Sequence, residues 1–199
     1  MSFALKGPRL TLRPPEPADA PALLELAGDP EVTRWFSWGP YQEEAEALAW
    51  IELCERQREE GVHLDLLIVD RERGPAGVTG LSEFSARDLR CVVGTWLGTG
   101  FQGTGVNRES KAIITRLAFD LLGMHRVGSY SNPDNERSTK ALLGVGFRHE
   151  GVLEDWHRHG ERWLDVNVFG MTAAEWAAGD LAAVPVELEG ELPPAFPRG

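Results

Sequence analysis

Cysteine is scarce. Two residues, Cys54 and Cys91, in a chain of 199 cannot build the disulfide framework of a small secreted domain, and neither has a Cys or His at metal-ligand spacing. Both read as small buried apolar residues, Cys54 in a helix and Cys91 in a strand. Long hydrophobic runs are lacking too: no stretch approaches the ~18 apolar residues needed to span a bilayer. Met1 to Leu10 lacks the charged-then-apolar pattern of a secretory signal, so the expected location is the cytoplasm, with no membrane partner. Basic charge is in deficit, 20 Lys and Arg against 31 Asp and Glu, a formal net charge of −11. A nucleic-acid binder needs a basic face, so no nucleic-acid partner is expected. The acidic field mildly favours cationic substrates.

The length suits one domain with a full core. Residues 9–13 alternate as a short strand, and Pro14, Pro15 and Pro17 stop it. Helices are expected over Pro17 to Ala27 and Tyr41 to Glu60, the second closed by Gly61. Three strands follow over 62–69, 76–85 and 90–97, joined by short connections and so read as antiparallel neighbours. Val106 to Leu122 then carries apolar residues at helical spacing. A strand over His125 to Ser131 and a helix capped by Asn135 come next. Two last strands, Phe147 to Leu153 and Trp163 to Met171, flank a polar turn. The order predicts an α/β (α+β) fold: a mixed, mostly antiparallel sheet of about seven strands flanked by helices. Residues 1–171 form the expected domain. Residues 172–199 form an acidic, Pro-rich extension, with a short helix near Thr172 to Ala178 and a loosely held tail.

Residues 98–105 read Gly-Thr-Gly-Phe-Gln-Gly-Thr-Gly. Gly98, Gly100 and Gly103 spell a dinucleotide fingerprint, but three antiparallel strands precede it and Asp120, at the acid's distance, lies inside a helix. A Walker loop fails because Gly105-Val106-Asn107 brings no lysine before Lys111. A third reading is a pyrophosphate turn at a helix N-terminus. There, glycines aim successive backbone N–H groups one way and the helix dipole adds partial positive charge. A turn that only reverses the chain is the plain alternative.

The segments after this turn decide between them. Gln102-x-Gly-x-Gly-Val-Asn leads into a helix and a strand, then Asn135-Glu136-Arg137-Ser138, Gly144-Val145-Gly146-Phe147 and Glu150-Gly151-Val152-Leu153. Over residues 9–171 this resembles the GNAT superfamily of N-acetyltransferases, and more narrowly the ribosomal-protein alanine N-acetyltransferases (the RimJ/RimL type). The resemblance implies acetyl-CoA as co-substrate, with the fourth and fifth strands splayed to admit its pantetheine arm. Gln102, Gly103, Thr104, Gly105, Val106 and Asn107 match the segment whose amides hold the pyrophosphate. Trp96, Leu97 and Gly98 match the strand end beside the pantetheine, Asn135 the asparagine that touches it, and Ser138 a hydroxyl near the sulfur. Asn135 and Ser138 also read as a helix cap and its third position. Charge alone makes Arg137 and Lys140 candidates for the nucleotide phosphates.

Acyl transfer to an amine needs a neutral amine, a stabilised carbonyl oxygen and a departing thiolate. The resemblance implies direct attack in a ternary complex, which suits a chain without a Cys-His or Ser-His pairing. A backbone N–H near Leu97 is the candidate oxyanion donor and Ser138 the candidate proton donor to sulfur. Val92 stands where related sequences often carry an acid. The base is therefore sought at Glu83, with His63 and Asp65 behind it. A weak base favours an α-amine, whose reference pKa of about 7.7–8.0 lies well below the 10.4 of lysine, and so a protein or peptide N-terminus. Trp35 and Trp38 are expected to line the acceptor pocket, with Phe36 buried. His157 and His159 flank a hairpin turn, and no metal is expected there. Alternatives are a non-catalytic acyl-CoA-binding module and an acetyltransferase for polyamines or other small amines. The oligomeric state stays open, a homodimer being common among such folds.

Overall fold

The computed structural model describes residues 3–197 and 199. Among them, nine strands form one sheet: β1 (Phe3–Lys6), β2 (Leu10–Arg13), β3 (Leu64–Asp70), β4 (Gly74–Ser85), β5 (Arg90–Leu97), β6 (Arg126–Ser131), β7 (Arg148–His159), β8 (Arg162–Thr172) and β9 (Glu187–Gly190). Their order is β7-β8-β6-β5-β4-β3-β2-β1-β9. Every neighbouring pair is antiparallel except β5 with β6. The mixed, mostly antiparallel sheet is as expected. The two additional strands, β1 and β9, lie at one edge, where four-residue segments give too short a pattern to read.

Helices cover both faces. α1 (Ala20–Ala27) and α3 (Glu44–Glu60) pack on one face around Leu23, Ile51, Leu67 and Val78, with the short α2 (Pro30–Thr33) between them. α3 begins at a capping box of Glu43 and Glu46 and ends at Gly61. α4 (Val106–Arg116) and α5 (Glu136–Gly144) lie on the opposite face, over the larger core built on Leu66, Leu81, Val93 and Phe169. The helical pattern expected to Leu122 runs as α4 to Arg116 and then as a π-helical turn over Leu117–Leu121. α4 is bolted to the sheet by Glu109, whose Oε1 accepts from the amides of Arg9 and Leu10 at 2.7 and 2.8 Å.

The expected loose tail is a correction. The helix forms, as α6 (Ala173–Ala177) behind a Thr172/Glu175 capping box, but the chain then packs onto the domain. β9 pairs with β1, Leu5 opposite Leu188. Leu181, Leu192 and Phe196 are buried in the main core, and Phe196 lies 5.0 Å from Phe84, ring to ring. Acidic and proline-rich composition hid three spaced apolar residues that suffice to anchor it.

Candidate active site

β5 and β6 are paired only from Arg90–Arg126 to Val92–Gly128. The last tie is the Ser129 hydroxyl, which donates to the Val93 carbonyl at 2.9 Å. Beyond it each strand keeps its outer partner. β5 stays on β4 as far as Leu97–Gly77, and β6 stays on β8 as far as Ser131–Asn167. Their inner edges therefore diverge, and among the described residues no strand pairs with the inner edge of Gly94–Leu97. Backbone groups on such an edge await a ligand with amides of its own. These are the two strands whose splaying the family resemblance implies. The wedge opens into a cleft of about 290 Å³.

At the top of the wedge the chain turns through Thr99–Phe101 and enters α4 from Gly105. Gly103 and Gly105 have φ of +75° and +88°, and a Cβ on either would have no atom within 4 Å. The left-handed backbone is one that glycine adopts without strain, and it opens α4 without a side-chain cap, at a helix N-terminus whose dipole favours an anion. Gln102, Gly103 and Asn107 line the cleft, while Val106 is buried beneath. Thr104 donates its hydroxyl to the Phe101 carbonyl at 2.7 Å, which stiffens the turn.

Asn135 caps α5, its Oδ1 accepting from the Ser138 amide at 3.1 Å, and both residues also line the cleft. Capping and a place at the site hold together. Arg137 donates to the Gln102 side chain across the cleft mouth, and Gln102 Nε2 donates to the Leu97 carbonyl at 3.1 Å. Trp96 and Leu97 line the wall, and Gly98 continues β5 toward the turn by donating to the Ala76 carbonyl at 2.9 Å. Lys140 stands apart: its side chain is 76% exposed and pairs with Glu136 at 2.8 Å, away from the cleft.

On the face bearing α1 and α3, the cleft is bordered by Glu31, Trp35, Phe36, Tyr130 and His157. Phe36, expected buried, is half-buried and lines the cleft. Trp38 is not among the lining residues; it lies between Phe36, Tyr41 and Trp96 at 5.1–5.7 Å and supports the wall from behind. Glu83 sits in a bulge of β4 with φ +50°, a costly conformation for a residue with a side chain. Its Oε2 accepts from the Tyr130 hydroxyl at 3.1 Å, and His157 meets the Tyr130 ring edge-on at 5.7 Å. Burial, helped by the Glu83 charge, pushes the Tyr130 phenol up. Burial, helped by His159, pushes His157 down. His63 pairs with Asp65 at 3.3 Å; burial opposes its charge, but the carboxylate prevails and raises it. That pair lies outside the cleft. Val92 is buried where β5 is still flanked on both sides, so no acid occupies that place.

Several cleft residues, Tyr130, Thr95 and Lys111 among them, were given no role by the sequence. Lys111, on α4, is 3% exposed and lines the cleft. A signal was there, since it precedes Ile114 by three residues and Ala118 by seven, on the buried stripe of the helix. Among the described residues no helix is long and apolar enough to cross a membrane.

A family model described as acetyltransferase (GNAT) domain matches residues 9–148. The chain is similar to an uncharacterized N-acetyltransferase, p20, of Bacillus licheniformis, 29% identical over 170 residues covering 85% of this chain and 96% of the relative. It is also similar to the [ribosomal protein uS5]-alanine N-acetyltransferase of Escherichia coli (strain K12), 28% identical over 89 residues covering 45% and 46% of the two chains. Among solved structures, the microcin C7 self immunity acetyltransferase MccE, in complex with acetyl-CoA and AMP, superposes with a TM-score of 0.76 at 22% identity, covering 83% of this chain and 93% of that one. The wedge, the glycine turn and the capped α5 fit acetyl-CoA as the co-substrate, whose thioester supplies the acyl group. With a family model matched over most of its length, this acyltransferase belongs to the GNAT superfamily of N-acetyltransferases.

Proposed function

We propose that the acceptor is the α-amine of a polypeptide N-terminus and that it attacks the thioester directly in a ternary complex. The observation that carries this is the weakness of the base on the acceptor side. Position 92 is a buried valine, and Glu83 reaches the cleft only through the Tyr130 hydroxyl. An amine that is already partly neutral suits such a site. At pH 7 roughly a tenth of an α-amine is neutral, against roughly one part in 2,500 for a lysine side chain. Tyr130 and Glu83 then form the path for the amine's surplus proton. Trp35 and Phe36 supply an apolar floor for the first residue of the peptide. The similarity to an enzyme named for ribosomal-protein alanine supports the same reading.

On the cofactor side, the amides of Gly103 to Asn107 hold the pyrophosphate, the free edge of β5 and Asn135 hold the pantetheine, and Arg137 sits at the mouth for the nucleotide phosphates. Ser138 donates a hydrogen bond near the sulfur. The test is thiol release with three acceptors: a lysine-free peptide with a free N-terminus, an Nα-blocked peptide with one lysine, and spermidine. A kcat/KM at least tenfold higher for the first is expected. Faster turnover of the lysine peptide or of spermidine would sink the N-terminal reading and leave acetyl transfer intact.

A further inference from the structure

The side of the cleft opposite the acceptor holds a charge that nothing in the fold neutralises. Lys111 projects from α4 toward the middle of the unpaired stretch of β5, where its Nζ donates to the Thr95 hydroxyl. Thr95 shares a 2.7 Å contact with Thr79, which donates to the Gly94 carbonyl at 3.0 Å. Three neutral groups are all the relay offers. The other charges of α4 are engaged elsewhere: Arg108 with Asp180, Glu109 with the Arg9 and Leu10 amides, Arg116 with Asp120. Among the described residues no carboxylate pairs with Lys111. A buried ammonium with three donors and one acceptor is costly in a folded chain unless a ligand completes it.

A ligand added to the free edge of β5 passes over Thr95 and hence over Lys111. We propose that Lys111 is a catalytic residue, its ammonium giving a proton to the coenzyme A sulfur as the C–S bond breaks. The bond from the acceptor nitrogen to the carbonyl carbon forms, the C–S electron pair goes to sulfur, and that pair takes the proton from Lys111 Nζ. The acceptor nitrogen loses its own proton on the Tyr130 side. Neutral Lys111 regains a proton from solvent after the thiol departs.

Acidity favours Lys111 over Ser138 for this step. Burial alone pushes the Lys111 ammonium down to about 7, below the roughly 8.5 of a cysteine thiol and further below a simple alkyl thiol, so the transfer runs downhill. An alcohol is a far weaker acid than a thiol and can only lend a hydrogen bond. Neither Glu31 of α2, Tyr130 of β6, Arg137 of α5 nor His157 of β7, the titratable groups that share the cleft, contributes to the Lys111 shift. The proposal rests on direct transfer from acetyl-CoA. Turnover by the wild-type enzyme tests that premise, whichever amine is used.

The experiment compares wild type with Lys111→Met at saturating acceptor across pH 6 to 10. Removing a general acid should lower kcat by about 100-fold or more with the KM for acetyl-CoA within about threefold. Wild type should lose kcat on an alkaline limb, as the ammonium is titrated away, and the variant should lack that limb. Methionine suits the buried site, so the variant should melt no lower than wild type. An unchanged kcat, an alkaline limb kept by the variant, or an acetyl group found on Lys111 by mass spectrometry after incubation with acetyl-CoA would each overturn the assignment.

Discussion

At the scale of a residue, Lys111 shows how one side chain serves function at the expense of the fold. Its folded-state pKa of about 7 lies below the roughly 10.4 of an unfolded lysine. Between those values the unfolded chain binds more protons, so this group makes stability rise with pH from about 7 toward 10. Below pH 7 both states are protonated and the full cost of burial is present. Lys111→Met removes that cost. The variant should therefore melt well above wild type at pH 6, and the gap should shrink by pH 9.5. Melting curves at the two pH values check this; an equal gap would mean that the buried amine is not held neutral. Glu83 is a second residue of this kind, its strained backbone aiming a carboxylate at Tyr130 where a regular strand would not.

At the scale of an element, the turn from β5 into α4 joins fold and chemistry. Gly105 is the N-cap of α4 with φ +88°. A methyl group there meets no neighbour, so the effect of Gly105→Ala is confined to the backbone, where a left-handed alanine costs roughly 1–2 kcal/mol. The chain relieves that strain by rotating the amides at the start of α4, those proposed to hold the pyrophosphate. Calorimetric titration with acetyl-CoA should show affinity falling about tenfold or more, with a melting temperature lowered only a few degrees. The helix, the strand and the glycines were all legible in sequence, because periodicity and turn chemistry are local. Lys140 stands outside the cleft for a local reason too. On a helix, charge shows that a residue faces water but not which side of the helix faces the ligand, and Glu136 one turn away takes its ammonium.

At the scale of the whole molecule, the C-terminal segment completes the core that carries the site. Phe196 packs on Phe84, the residue after the strained Glu83, and Ala195 lies against Gly61 at the end of α3. Phe196→Ala should cost about 3 kcal/mol, which lowers the melting temperature by roughly 6–12 °C for a chain of this size. Because the ring buttresses the bulge, kcat should also fall more than acetyl-CoA affinity does. Thermal melts and steady-state kinetics on this variant decide the matter; a stability loss without any change in kcat would separate the tail from the site.

The sequence by itself determined the order of the elements, the glycine turn and the family to which they belong. Those features follow from side-chain period, glycine backbone freedom and motif spacing within short windows. Tertiary structure alone decided how the acceptor side and the buried lysine join the cleft. Tyr130, Glu83 and His157 are far apart in the chain and meet because a bulge and a bent hairpin bring them together. Lys111 reads in the chain as one charge on a helix; only the packing of α4 against a splayed strand buries it, leaves it without a carboxylate among the described residues, and sets it against Thr95 on the unpaired stretch of β5.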